Sequence, residues 1–369
     1  DILVVALNSD DWLIKKKIII VAGGSGGHVL PAIAIIEEIR KKSIEHLVLT
    51  DERCEHFFLK NKTPYELIDS SALTKNILLL PIFFLKIIRG FLKSLNILSK
   101  NKQSVIIGFG GYTSLPSIMA AKTLKIPIII HEQNSVMGKA NRFLSKFSNY
   151  TALTFRKTKF SPKNGVYTGI PIRKKFFSKN TKNIKKKKKI KILILGGSQG
   201  AKIFSEIIPK VFSLLEQREL SNFILNQQSR KEDIQLLNKF YSNQKIQYSL
   251  KEFFDNIPQE MSDSDIIISR CGASTLAEIQ SCSKFSFLFP LPTAKDNHQF
   301  YNAKQFSLSN NCIIYNEQDF FADDMVKRLK KFCENRASLE IKKKIPVNES
   351  PTKKIMNLLN KTIKNETCR

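Results

Sequence analysis

Short, almost continuous apolar runs recur along the chain, each ending in a polar or glycine-rich turn. They are Lys17-Ile18-Ile19-Ile20-Val21-Ala22, Ser104 to Ile107, Ile126 to Ile130, Ile190-Lys191-Ile192-Leu193-Ile194-Leu195 and Asp265 to Ser269. Runs this short and rich in Ile predict strands buried on both faces of a parallel sheet. Two of them lead into helical periodicity, Pro31 to Ile39 and about Lys202 to Leu215. Between strand and helix stand Gly23-Gly24-Ser25-Gly26-Gly27-His28 and Gly196-Gly197-Ser198-Gln199-Gly200-Ala201. The same strand, glycine turn and helix thus occur twice, about half a chain apart, which predicts two similar α/β domains. We place the first at 15–175, a Lys-rich linker at 176–189, the second at 190–345 and a terminal segment at 346–369.

One segment breaks this rhythm. Ile77 to Leu85 is apolar apart from Pro81, and Lys86, Arg89 and Lys93 then interrupt further apolar residues up to Leu98. Cations arrive before the roughly 18–20 apolar residues that a membrane span needs. Two readings stand: a core helix, or an amphipathic surface that dips Leu79, Ile82 and Phe83 into a bilayer while its cations meet head groups.

Composition narrows the function classes. The chain has 369 residues, 42% of them hydrophobic, which excludes a disordered chain. Lys and Arg number 60 against 32 Asp and Glu, a net charge of +28. Such an excess draws polyanions. Here it is mostly Lys, gathered in runs such as Lys185 to Lys189 within an Ile- and Asn-rich chain, so we expect no nucleic-acid partner and favour an anionic membrane surface. The six Cys are scattered, with no CxxC pair or zinc-like cluster, so a reducing compartment is expected.

The chemistry concentrates where strands end. A glycine turn that opens a helix presents backbone N–H groups and the positive end of the helix dipole, and so suits phosphate. Neither loop is a Walker loop, and neither fits the dinucleotide fingerprint in register with a downstream acid. Two separate diphosphates are therefore the expectation. His28, at a predicted helix start, is either a general base kept neutral by the dipole or a residue that braces the loop. His131 and Glu132 form a second candidate pair, with Asn134 beside them. In Arg270-Cys271-Gly272-Ala273-Ser274-Thr275-Leu276-Ala277-Glu278 the small residues admit a ligand to the backbone, and Glu278 could accept from a ribose diol. Asp296 to Asn302 carries amides and hydroxyls suited to sugar hydroxyls.

Taken in order, these segments resemble the MurG family of peptidoglycan N-acetylglucosaminyltransferases, which make lipid II from lipid I. The likeness runs from about Ile18 to Ala303. It rests on GGSGGHVLPAIAI at Gly23 to Ile35, GFGGYTSLPSIMAA at Gly108 to Ala121, IPIIIHEQNSVMGKANRFLS at Ile126 to Ser145 and GIPIR at Gly169 to Arg173. It continues with GGSQGAKIF at Gly196 to Phe204, RCGASTLAEI at Arg270 to Ile279 and DNHQFYNA at Asp296 to Ala303. The resemblance implies a GT-B fold, two Rossmann-like domains facing across a cleft, with the final segment returning to the first domain. It implies UDP-N-acetylglucosamine as donor, a substrate rather than a cofactor, with no catalytic metal. It places Ser25, Gly26, Gly27 and Asn134 on the first domain's active face, and Arg173 and Ser198 near the donor diphosphate. Phe254 would offer its backbone to uracil, Ala273, Ser274, Thr275, Leu276, Ala277 and Glu278 would hold the nucleotide, and Gln299 would contact the sugar.

The implied reaction is an inverting displacement by the muramoyl 4-hydroxyl of lipid I on the anomeric carbon, with His28 as first and Glu132 as second candidate base. The implied partners are lipid I, an anionic membrane surface and cell-wall synthesis and division proteins. The implied place is the cytoplasmic face of the inner membrane, held peripherally. The sequence departs from the family in four places: Ser25 replaces Thr, Ile170 replaces Asn, His298 replaces the first of two Gln, and Asn226-Gln227-Gln228-Ser229 replaces a His-Gln stretch. Two rivals stay open: a UDP-sugar enzyme with another acceptor or an epimerase chemistry, and a basic binding protein that ignores sugar nucleotides.

Overall fold

The computed structural model describes residues 13, 16–71, 76, 78, 80–176, 189–197, 201–335 and 350–367. The chain divides into two compact units, one running to Arg173 and taking the chain back from Val347, the other spanning Lys174–Pro346.

The first unit is built on β1 (Lys17–Val21), β2 (His46–Thr50), β3 (Tyr65–Leu67), β4 (Ser104–Gly108), β5 (Ile128–Glu132), β6 (Tyr150–Leu153) and β7 (Gly165–Tyr167). Its helices are α1 (Gly26–Lys41), α2 (Glu55–Lys60), α3 (Leu80–Ser99), α4 (Ser114–Thr123) and α5 (Lys139–Leu144). The strand order is β3-β2-β1-β4-β5-β6-β7, and every pair is parallel. Alternate residues of β1 enter opposite cores: Ile18 and Ile20 pack with Val29 and Ile36 of α1, and Ile19 and Val21 pack with Ile106, Ile118 and Ile130. This two-sided burial is why the strands read as unbroken apolar runs.

The second unit repeats the plan with β8 (Ile190–Leu195), β9 (Phe223–Gln228), β10 (Gln247–Lys251), β11 (Ile266–Ser269), β12 (Phe285–Leu288) and β13 (Cys312–Ile314). The parallel order is β10-β9-β8-β11-β12-β13. Its helices are α6 (Lys202–Ser213), α7 (Gln217–Leu220), α8 (Lys231–Asn243), α9 (Ile257–Asp263), α10 (Ala273–Cys282), α11 (His298–Ser307) and α12 (Ala322–Glu334). Ile190, Ile192 and Ile194 pack with Phe204, Ile208, Leu237 and Leu329 from α6, α8 and α12. A last helix, α13 (Pro351–Thr367), returns Ile355, Met356, Leu359 and Ile363 to the core that holds Ile18 and Ile20.

Helix α3 inverts the usual amphipathic arrangement. Its buried residues are Phe83, Gly90, Ser94 and Leu98. A Cβ on Gly90 would collide with the Asp69 carbonyl, and Ser94 Oγ hydrogen-bonds Ser117 Oγ of α4 at 3.0 Å, so small residues mark the face where backbones approach. The large apolar residues Ile82, Phe84, Leu85, Ile88 and Leu92 point outward, each between 52% and 58% exposed. Lys86, Arg89 and Lys93 are exposed beside them. This corrects the sequence assignment of Phe83 to the outer surface: it is buried edge-on against Tyr112. Ile82 is on the outer face as expected, and Leu79 lies outside the described residues. Among the described residues no helix is long and apolar enough to cross a membrane.

Candidate active site

In both sheets the strand order reverses direction at one point, between β1 and β4 and between β8 and β11. Open parallel sheets bind ligands outside the carboxyl ends at that point. Each glycine loop leaves the carboxyl end of a strand at its reversal, β1 in one unit and β8 in the other.

In the first unit, Ser25 is the exposed N-cap of α1, and Gly26, Gly27 and His28 form its first turn. Gly23 is needed for space, since a Cβ there would sit 2.8 Å from Thr113 Oγ1 and 3.0 Å from Asp51 Oδ2. Asp51, buried just beyond β2, accepts from Thr113 Oγ1 at 2.8 Å and from Arg53. Burial pushes its carboxyl up, but the bonds from Thr113 and Arg53 outweigh this and hold it below the ordinary carboxylate range. The sequence reading missed Asp51; an acidic residue at a strand end was the available signal.

His28 sits against a second glycine turn, where Gly110 and Gly111 have φ of +86° and +74°. A Cβ on Gly111 would lie 3.4 Å from His28 Cδ2 and Nε2, so the turn runs in close contact with the imidazole, and its positive φ is what calls for glycine. His28 Nδ1 lies 3.1 Å from Gln133 Oε1. Gln133 Nε2 donates to the Phe109 carbonyl at 2.8 Å and lies 3.1 Å from His131 Nδ1, and His131 Nε2 lies 3.3 Å from the Gly169 carbonyl. Burial pushes the fully enclosed His131 down to about 4, against the Gly169 hydrogen bond and with the help of His28, so its ring is neutral near pH 7.

Glu132 is not placed to take a proton, which corrects its assignment as second candidate base. It is 2% exposed, and both of its oxygens are engaged. Oε1 accepts from the Asn134 N–H at 2.9 Å and from Asn134 Nδ2 at 3.3 Å; Oε2 accepts from the Gly138 N–H at 3.0 Å and from Asn141 Nδ2 at 2.9 Å. It braces the turn after β5 and the start of α5, and it orients Asn134.

In the second unit, β8 delivers Gly196 and Gly197, the latter with φ of +82°, while Ser198 lies outside the described residues. Gln228 Nε2, at the end of β9, ties the Gly197 carbonyl and the Glu252 carbonyl, both at 3.1 Å. The sequence reading gave Gln228 no role. After β11, Gly272 caps α10. The Leu276 N–H is spent on the Gly272 carbonyl at 3.0 Å and its side chain is 1% exposed, so Leu276 anchors the opening of α10 from within the core. The N–H groups of Ala273, Ser274 and Thr275 stand in the helix's opening turn, where no intrahelical acceptor reaches them. The Ser274 hydroxyl is buried there without a partner among the described residues.

Gln299 is held with one sense. Its Oε1 accepts from the Cys271 and Leu291 N–H groups, both at 3.1 Å, so its Nε2 is turned to donate elsewhere. Asn302 Nδ2 supports the same turn through the Cys271 carbonyl at 3.2 Å. His298 Nδ1 bonds the Lys295 carbonyl at 2.8 Å, a capping role. Glu278 is buried in α10, and Phe254 is buried with Lys251 Nζ 5.8 Å from its ring centroid. Ala277 is partly exposed one turn into α10. Arg173 is the half-buried last residue of the first unit.

Both units match known families. Residues 18–153 match the glycosyltransferase family 28 N-terminal domain, and residues 191–359 match the glycosyltransferase family 28 C-terminal domain. A protein of Rickettsia bellii named UDP-N-acetylglucosamine–N-acetylmuramyl-(pentapeptide) pyrophosphoryl-undecaprenol N-acetylglucosamine transferase is 38% identical over 335 residues, 88% of this chain and 93% of its own length. The protein of the same name from Rickettsia canadensis is 40% identical over 302 residues, 78% of this chain and 82% of its own. The crystal structure of Acinetobacter baumannii MurG superposes with a TM-score of 0.71 at 25% identity, covering 94% of this chain and 99% of that one.

Proposed function

The chain belongs to glycosyltransferase family 28, in its MurG branch with a GT-B fold, and from that premise we propose how its residues divide the work of the transfer. The reaction moves N-acetylglucosamine from UDP-N-acetylglucosamine to N-acetylmuramyl-(pentapeptide) pyrophosphoryl-undecaprenol, giving lipid II and UDP. The observation that carries this is the extent of the likeness: 88% of the chain, both units included, matches a transferase of that specificity. An epimerase or a nonenzymatic binding protein is thereby set aside.

The second unit takes the donor. The opening turn of α10 directs the N–H groups of Ala273, Ser274 and Thr275, the Ser274 hydroxyl and the helix dipole at a diphosphate, which favours the charge that grows on departing UDP. Glu278 takes the ribose diol, Phe254 offers its backbone to uracil, and the fixed Nε2 of Gln299 donates to a sugar oxygen. Arg173 and Ser198 remain diphosphate contacts on family likeness.

The first unit prepares the acceptor. His28 takes the proton of the muramoyl 4-hydroxyl as that oxygen attacks the anomeric carbon, and the glycosidic bond to UDP breaks with inversion. Ser25, Gly26, Gly27 and Asn134 line the approach. The outward stripe of α3, with Lys86, Arg89 and Lys93 beside it, rests on an anionic bilayer and brings the unit to its lipid substrate at the cytoplasmic face of the membrane.

The test is transfer of labelled N-acetylglucosamine from its UDP conjugate to a short-chain analogue of the undecaprenol-linked acceptor, comparing wild type with Glu278→Ala. Transfer by wild type, lost in the variant with weaker UDP binding, is the expected result. Donor binding without transfer to this acceptor would overturn the acceptor assignment.

A further inference from the structure

We infer that Gln133 is a positioning residue that fixes which nitrogen of His28 carries the proton. The inference rests on the reading of His28 as the base, and it follows from donor and acceptor chemistry alone. A carbonyl oxygen only accepts, so the group of Gln133 that faces the Phe109 carbonyl at 2.8 Å is its NH2. The amide cannot be flipped without setting oxygen against oxygen. The same nitrogen reaches His131 Nδ1 at 3.1 Å, so that ring nitrogen accepts. A neutral His131 then carries its proton on Nε2, where the Gly169 carbonyl at 3.3 Å receives it. Two independent backbone carbonyls therefore agree on one sense for the chain of bonds.

That sense leaves Gln133 Oε1 facing His28 Nδ1 at 3.1 Å. Oε1 only accepts, so Nδ1 donates, and the lone pair of a neutral His28 stands on Nε2. Nε2 is on the ring edge that runs along Gly111, where a Cβ would lie 3.4 Å from it. When His28 takes a proton at Nε2, the Nδ1–H bond to Gln133 persists, so the ring keeps its orientation through the transfer. In serine hydrolases a carboxylate sets the histidine tautomer; here a neutral amide does so, itself held by a buried histidine and two main-chain carbonyls. Gln133 is 3% exposed and His131 fully buried, so the relay is shielded from water that could satisfy its groups otherwise.

The experiment is long-range proton–nitrogen correlation NMR on the full-length protein with labelled histidine, His28 being assigned by its loss in His28→Gln. The expected wild-type spectrum shows His28 protonated at Nδ1. Gln133→Leu removes the acceptor and shifts His28 toward the Nε2–H form, with kcat down about 100-fold and KM for UDP-N-acetylglucosamine within about twofold. Gln133→Met, which keeps the length of the side chain but likewise removes the acceptor opposite Nδ1, gives the same reading of the tautomer if Gln133→Leu does not fold. A wild-type His28 protonated at Nε2, or an unchanged tautomer in folded Gln133→Leu, overturns the inference. A changed tautomer with unchanged kcat upholds the control by Gln133 and overturns His28 as the base.

Discussion

A carboxylate that accepts four hydrogen bonds is a brace, whereas a histidine whose Nδ1 meets an amide oxygen suits the proton transfer proposed for it. Glu132 and His28 divide along that line. Glu132→Gln sets an amide NH2 against donors that have no other use for it, so we expect it to cost about 2 kcal/mol of stability, read from the urea midpoint. His28→Gln should instead lower kcat by about 10²–10⁴-fold with KM for UDP-N-acetylglucosamine unchanged; an equal loss from both variants would argue that Glu132 moves protons after all. His131 contributes a pH dependence. Its folded value of about 4 lies below the unfolded value of 6.5, so between these limits the unfolded chain binds the extra proton and stability falls as pH falls. Its contribution is complete above pH 6.5 and lost progressively toward pH 4. Between pH 7 and pH 5 the loss from this group is about 2 kcal/mol, and denaturation of His131→Gln at the two pH values should show a correspondingly smaller difference.

Among the elements, strands and glycine loops were legible because burial on both faces leaves no polar position to confuse the period, and because a strand at a reversal must hand its chain to a tight turn. Helix α3 was only half legible. Its run of apolar residues from Ile82 to Leu85 hides the helical phase, and the inward face is identified by Gly90 and Ser94, which no hydrophobic scale rewards. Roles such as those of Gln133 and Gln228 were illegible for another reason: they depend on which backbone carbonyl the fold brings opposite an amide. The corrected phase separates two substitutions that the sequence reading would treat alike. Ile82→Glu with Leu85→Glu should weaken sedimentation with anionic vesicles without unfolding the protein, and added salt should weaken it further through the neighbouring cations. Phe83→Ala should cost about 3 kcal/mol of stability and leave vesicle binding intact at temperatures where the protein stays folded. Vesicle binding that follows Phe83 and ignores Ile82 and Leu85 would reverse this assignment.

For the whole molecule, the decisive feature is that the chain leaves the first unit once and comes back. The second unit, Lys174–Pro346, is inserted between two parts of the first, whose core is finished by α13. The family match at 191–359 follows the chain's continuity and runs into α13, whereas packing assigns that helix to the other unit. Ile355 is fully buried, as is Leu359, and Met356 and Ile363 are 3% and 1% exposed. At about 2 kcal/mol for each buried side chain, losing four of them rivals the ~5–15 kcal/mol that keeps a domain folded. A chain ending at Ser350 should therefore lose the first unit's cooperative unfolding, together with all transfer activity. The second unit's core is complete without α13, so its own transition and its affinity for UDP should survive. Calorimetry with and without UDP separates the cases: one remaining transition that UDP raises is the expected record. Loss of both transitions would mean that the inserted unit needs its host to fold, and retention of both would mean that α13 is dispensable to the core it enters.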